Sequence, residues 1–226
     1  GRLSAFAMIG DLISDVELTK AQYQTRCAAF WAQAEASSIS VFTCMGNHEC
    51  NHDGSNNANF CDKHDHRIYF YQPMLDLDET LVSDPNNADG CYCYKDFPTY
   101  KTRVIAIDQY DFPYTYDIDG NPVYSAGPNN KNIGYSEAQL NWLVGALDVA
   151  NDWNIVILCH EGIAQKVEAV GGTDDCLLDI LSAFKNKTIV NTSATSPLSF
   201  TITGDFSSNS GNVIVIYGHL HSFLKT

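Results

Sequence analysis

The chain reads as an α/β protein. Three observations carry that class: four short apolar runs, each closed by a polar, ligand-type residue; stretches of helical period between them; and the absence of any internal repeat or low-complexity segment. The runs are "LSAFAMI" leading into Gly10-Asp11, "ISVFTCM" into "GNHE" (Gly46 to Glu49), "NIVILC" into His160-Glu161, and "NVIVIY" into Gly218-His219-Leu220-His221. Short runs of β-branched and aromatic residues that stop at a turn residue are the pattern of buried strands.

The elements between them follow in order. "LTKAQYQTRCAAFWAQAEA" (Leu18 to Ala36) sets Tyr23, Cys27, Phe30, Trp31 and Ala34 at helical spacing, which predicts the crossover helix of a right-handed parallel βαβ unit. Its aromatic stripe is core packing rather than a ligand platform. "PTYKTRVIAIDQYDFP" reads as one or two strands and "DIDGNP" as a turn. "SEAQLNWLVGALDVA" (Ser136 to Ala150) starts with a Ser N-cap and places Leu140, Leu143, Val144 and Leu147 on one face, a second scaffold helix. The Asn-, Gly- and Ser-rich patches at Asp53 to Asn59, Pro85 to Gly90 and Ser207 to Asn212 are expected on the surface.

In open α/β sheets ligands bind beyond the carboxyl ends of the strands, so residues placed there converge. One site holding Asp11, Asn47, His48, His160, His219 and His221 is the economical reading. A carboxylate, an amide oxygen and several imidazoles suit divalent transition metals and are too nitrogen-rich for calcium or magnesium alone. No cysteine occupies these positions, which argues against a closed structural zinc site.

"GD", "GNHE", a lone His after a strand, and "GHLH", in that order from Gly10 to His221, resemble the calcineurin-like metallophosphoesterase superfamily. "YKDFPTYKTRVIAIDQYD" as a hairpin and "YSEAQLNWLVGAL" as a helix resemble its bacterial and phage-associated members. The resemblance implies a two-layer β sandwich flanked by helices. It also implies a dinuclear centre of two divalent transition metals (Mn, Fe, Zn or Ni) and hydrolysis of a phosphomonoester or phosphodiester by metal-activated hydroxide. Asp11 would bridge the metals; Asn47, His160 and His219 would complete one shell; His221 would bind the other metal; His48 would stabilise charge or protonate the leaving oxygen. Glu49 is expected to orient neighbouring groups, and Asp15 to act behind the ligands or at a helix start. The superfamily pattern opens with Asp-x-His, and no such motif precedes Asp11 here, so one metal site is expected to be incomplete and residues 1–226 to be a single domain truncated at both ends. Ser14 stands where purple acid phosphatases carry a tyrosine ligand, so a non-chromophoric centre is expected.

Composition narrows the partners. With 27 Asp and Glu against 13 Lys and Arg, the net charge of −14 repels polyanions, so extended nucleic-acid binding is not expected unless metals supply local positive charge, and the substrate is expected to be a small phosphoester or one phosphate of something larger. No run reaches the length of a membrane span, so no membrane partner is expected. The eight cysteines are scattered through apolar segments and read as mostly buried free thiols, with Cys91 and Cys93 on one face of a strand. A cytoplasmic location is the first expectation, with secreted or virion-associated ones as alternatives. Cys50, His52, Cys61, His64 and His66 offer a rival cluster of donors whose spacing fits no standard zinc finger, and a helix or loop surface is the preferred reading. The alternative to an enzyme is a binding or structural module, a phage or cell-surface component with an inactive centre on the same fold.

Overall fold

The computed structural model describes residues 5–12, 18–50, 61, 63–87, 90–111, 115–116, 122–123, 133–149, 152–163 and 169–218. Strand β1 (Ala5–Ile9) is followed by helix α1 (Lys20–Ser37) and strand β2 (Ser40–Cys44), and the two strands pair in parallel with Ile9 opposite Cys44. This is the βαβ unit the periodicity predicts. A capping box starts α1: the Gln22 amide donates to Thr19 Oγ1 and the Thr19 amide to Gln22 Oε1. Tyr23, Cys27 and Trp31, four residues apart, form its buried stripe, with Phe30 and Ala34 packed alongside.

A single 3₁₀ turn, Asn47–Cys50, leaves β2. Next come α2 (Lys63–His66), a π-helical turn (Arg67–Tyr71) and α3 (Gln72–Leu77), whose buried Phe70, Tyr71 and Met74 meet α1 through the Trp31–Phe70 ring contact at 5.1 Å. Then follow β3 (Val82–Ser83), β4 (Cys93–Phe97), β5 (Thr102–Ala106), the short pair β6 (Thr115–Tyr116) and β7 (Pro122–Val123), and α4 (Glu137–Leu147). The chain continues through β8 (Asn154–Cys159), α5 (Thr173–Asn186), the antiparallel pair β9 (Ile189–Ser193) and β10 (Thr201–Asp205), and β11 (Val213–Tyr217).

Five strands form one mixed sheet in the order β11-β8-β5-β4-β3: the first three are parallel, and β4 and β3 join antiparallel. Convergence at the strand ends predicts one sheet edge for all four ligand-bearing strands; β1 and β2 instead make a separate parallel pair. Alternation along the strands explains the layering. Ile155, Ile157 and Cys159 of β8, with Ile105 of β5, pack into one core with Leu140, Leu143 and Leu147 of α4, Leu177, Ile180 and Phe184 of α5, and Val190 and Ile202 of the β9–β10 pair. The intervening residues Leu158 and Ala106 face the other way, where Phe42 and Cys44 of β2 and the α1 stripe cover them. The fold is thus the expected α/β sandwich: among the described residues the β1–β2 pair faces one side of the five-stranded sheet, and α4, α5 and the β9–β10 pair pack on the other. Arg103 ties the β4–β5 hairpin to the end of α4. Its guanidinium donates to both Asp96 carboxylate oxygens on the opposite strand, at 2.7 and 2.9 Å, and to the Ala146 carbonyl at 2.7 Å.

Candidate metal centre

Strands β1 and β8 belong to different sheets, yet their carboxyl ends meet. After Ile9, Gly10 and Asp11 both turn left-handed, with φ of 75° and 55°. That conformation costs an ordinary L-residue about 1–2 kcal/mol, and Asp is among the few that visit it. The double turn throws the Asp11 carboxylate across the strand end toward His160, the first residue after β8. The ring is oriented by a carbonyl: His160 Nδ1 lies 2.7 Å from Ile9 O, an acceptor only, so Nδ1 carries the hydrogen. Its Nε2 then faces Asn47 Oδ1 at 2.9 Å and Asp11 Oδ2 at 3.1 Å.

Asn47 and His48 open the 3₁₀ turn after β2, and Glu49 locks that turn to β1. The Glu49 carboxylate is fully buried and accepts from the amides of Gly46 at 2.5 Å, Leu12 at 2.6 Å and Asp11 at 3.0 Å. The His48 amide donates to Asp11 Oδ1 at 3.1 Å, and its Nε2 stands 3.9 Å from Asp11 Oδ2 at the partly open rim. Both glycines are required by space: a Cβ on Gly46 would lie 2.4 Å from the Asp11 nitrogen, and one on Gly10 would lie 2.6 Å from His160 Nδ1.

The charges interlock. Burial alone would raise the Asp11 carboxyl, but the His160 bond and charge and the His48 amide hold it below its ordinary value. Burial works against a charged His160, and the Asp11 bond, the Ile9 carbonyl and the Asp11 and Glu49 charges override it and raise the ring. Burial, then the neighbouring Asp11 charge, push Glu49 up against the pull of its three amides.

These donors suit a divalent transition metal. With Nδ1 protonated, a neutral His160 points a lone pair at two oxygens, an arrangement that a cation in the shared space would satisfy. Among the described residues no group of three or more His, Cys, Asp or Glu side chains is arranged to hold a metal; the described centre has Asp11 and His160, with Asn47 as the third donor. His219 and His221 lie outside the described residues, as do Ser14 and Asp15 and most of the loops after Glu49 and Asp111. Gly218, just after β11, donates its amide to the His160 carbonyl at 2.9 Å, so β11 ends at the same place as β8.

The rival cluster does not assemble among its described members. Cys61 is buried, His64 is exposed, and His66 is buried with its ring stacked on Phe70 at 5.3 Å, while Asp65 pairs with Lys20 at 2.6 Å. His52 and the Cys50 side chain are outside the described residues. The seven described cysteines are buried, as expected of most of them, and Cys27, Cys44, Cys93, Cys159 and Cys176 carry free thiols.

Gln109, Tyr110 and Glu161, for which no role is predicted from the sequence, complete the surroundings. Tyr110 Oη donates to Glu161 Oε1 at 2.7 Å, and the Gln109 side chain bonds the Glu161 backbone. The signal was present: "IDQYD" is a polar run directly after the apolar end of β5, the same design as the other four strand ends. Reading the whole stretch as strand concealed it.

No protein-family model matches the chain, and no curated protein matches it. Among solved structures it is similar to a dimetal phosphatase from Danio rerio, with a TM-score of 0.54 and 15% identity over 95% of this chain and 72% of that one. At that identity the likeness shows the fold: the α/β arrangement described above is shared with a dimetal phosphatase.

Proposed function

We propose that this chain is a metal-dependent phosphoesterase acting on a small phosphoester. The observation that carries the reading is the convergence of Asp11 Oδ2, Asn47 Oδ1 and His160 Nε2 on one space, with the far nitrogen of the ring committed to the Ile9 carbonyl. Fold likeness to a dimetal phosphatase supports it. Asp11, Asn47 and His160, joined by His219, would hold one cation, and Asp11 with His221 a second. Divalent cations at such a place polarise a phosphoryl oxygen and acidify water enough to make it a nucleophile near neutral pH.

The remaining work falls to the chain itself. Glu49 fixes the Gly10-Asp11 turn against Gly46, so the carboxylate is aimed before any ligand arrives. The Ile9 carbonyl keeps the proton on Nδ1 of His160 and leaves Nε2 as a donor atom. His48, at the rim with its Nε2 3.9 Å from Asp11 Oδ2, would stabilise charge on the substrate or protonate its leaving oxygen. The acidic surface disfavours long polyanions, in keeping with a small substrate.

Metal content per chain after loading with Mn or Zn, together with hydrolysis of p-nitrophenyl phosphate and bis-p-nitrophenyl phosphate, tests the reading. Asn47→Ala and His219→Ala are each expected to lose bound metal and to cut turnover at least about 100-fold, with the circular dichroism spectrum unchanged. Full turnover in either variant would overturn the assignment. Stoichiometric metal without hydrolysis of either ester would favour a binding module on this fold.

A further inference from the structure

We propose that Gln109 is a positioning residue for the His160 turn, acting as a side-chain substitute for the backbone ladder where β5 and β8 part. The inference rests on the site reading above.

Strands β5 and β8 run in parallel register as far as Ala106 opposite Leu158, and the Ile107 amide makes one more bond, to the Leu158 carbonyl at 3.0 Å. Beyond it no further backbone bond joins the two strands among the described residues, which leaves the backbone after His160 without a ladder partner. The Gln109 carboxamide takes that place. Its Oε1 accepts from the Glu161 amide at 2.6 Å, and its Nε2 donates to the Glu161 carbonyl at 3.0 Å and to Tyr135 Oη at 3.1 Å. A primary amide offers the same donor and acceptor as a peptide group, so one side chain satisfies both backbone groups of the residue following His160.

Gln109 is itself held by the same device. Gln139 of α4 accepts from the Asp108 amide and donates to the Asp108 carbonyl, each at 2.8 Å, and the Gly134 amide donates to the Gln109 carbonyl at 2.8 Å. The link therefore runs from α4 through Asp108 and Gln109 to Glu161 and His160. Three anchors from different elements then fix the turn: Ile9 on the ring, Gly218 on the His160 carbonyl, and Gln109 on the next residue. Gln109 is fully buried, so an amide that lost these partners would have no water to replace them. A satisfied core glutamine is the bland alternative, and the two differ in what a variant does to His160.

The test uses the full chain without metal and then with Mn. Gln109→Met keeps the length and removes all three bonds; Gln109→Glu keeps the bond to the Glu161 amide and loses the donors; Tyr135→Phe removes only the third bond and serves as control. Nitrogen-resolved NMR reads the His160 ring, hydrogen exchange reads the Glu161 amide, and titration reads Mn affinity. Expected for Gln109→Met are exchange at Glu161 at least about tenfold faster, loss of the protected Nδ1 proton of His160, and Mn affinity weaker by about 10- to 100-fold. Gln109→Glu should fall between that variant and the parent, and Tyr135→Phe should stay near the parent. An unchanged His160 ring with affinity within twofold would overturn the proposal. So would a loosening shared equally by the amides of α4 and β8, which is what a merely structural glutamine gives. If the parent chain takes up no metal, the metal reading fails, and the ring signal of metal-free His160 still decides the role of Gln109.

Discussion

Gly46 leaves no room for a methyl group. Its Cβ position would sit 2.4 Å from the Asp11 nitrogen, 2.5 Å from Asp11 Oδ1 and 2.6 Å from Glu49 Oε2, so accommodating alanine requires backbone to move, not a flexible side chain. Gly46→Ala is expected to destabilise by about 1–3 kcal/mol, which lowers the melting midpoint by roughly 3–10 °C in a chain of this size. It should also weaken Mn binding, because the displaced group is the bridging carboxylate of the proposed centre. Melting in EDTA, with Gly145→Ala as the comparison, checks this: Gly145 sits in α4 with nothing within 4 Å of its Cβ position and should tolerate alanine. At this scale the sequence was informative. Asp11, Asn47 and His160 announce themselves as polar residues ending apolar runs, and the structure brings them within hydrogen-bonding reach. Gln109 shows in the sequence only as a member of the polar run that ends β5, since an amide that imitates a peptide group has no spacing signature of its own.

Between elements, the start of β2, the end of α3 and the middle of β4 are joined by one ionic contact. Asp78 accepts from Lys95 and from Ser40, and Thr80 adds its hydroxyl at 2.6 Å and its amide at 3.1 Å. Burial alone would raise the Asp78 carboxyl, but Lys95, Ser40 and Thr80 together hold it at about 2. The unfolded value is about 4, so the folded state binds the proton less readily. The contribution is complete above that value and disappears as the pH falls from about 4 toward 2. Solvent screening of this partly enclosed pair limits it to about 1 kcal/mol. Asp78→Asn should therefore melt below the parent at pH 6 and approach it near pH 2.5; an equal deficit at both would show that packing, not charge, is lost.

Element by element, legibility followed period. The stripe of α1 and the Ser136 cap of α4 were read correctly because spacing and cap residue agree with the tertiary environment. The capping box of Thr19 and Gln22 was equally visible and went unread, and Thr173–Asn186 carried no expectation despite its helical pattern. What no local pattern states is sheet membership: β1 and β2 resemble β8 and β11 in sequence, and only packing across the core assigns them to another sheet.

At the scale of the whole molecule, that division gives the candidate centre its position. Asp11 and Asn47 come from the β1–β2 pair, and His160 from the five-stranded sheet. The donors thus sit on the seam between two separately hydrogen-bonded units, and a cation there would act as a rivet between them. Cooperativity follows from that placement. Without the rivet, the β1–β2 pair is held to the larger sheet by the packing of Phe42 and Cys44 against Ala106 and Leu158 and by the Ser40–Asp78–Lys95 contact, and it can open as its own foldon, below the free energy of global unfolding. Native-state hydrogen exchange in EDTA should show β1 and β2 amides exchanging ahead of those of β8, with Mn bringing the two sets together. Equal protection in EDTA would mean that the core alone welds the layers. If the rivet holds, the protein would sense its own metal mechanically: occupancy would be written into the rigidity of the β1–β2 pair, and a protease would read chelated chains as partly open while leaving loaded ones intact.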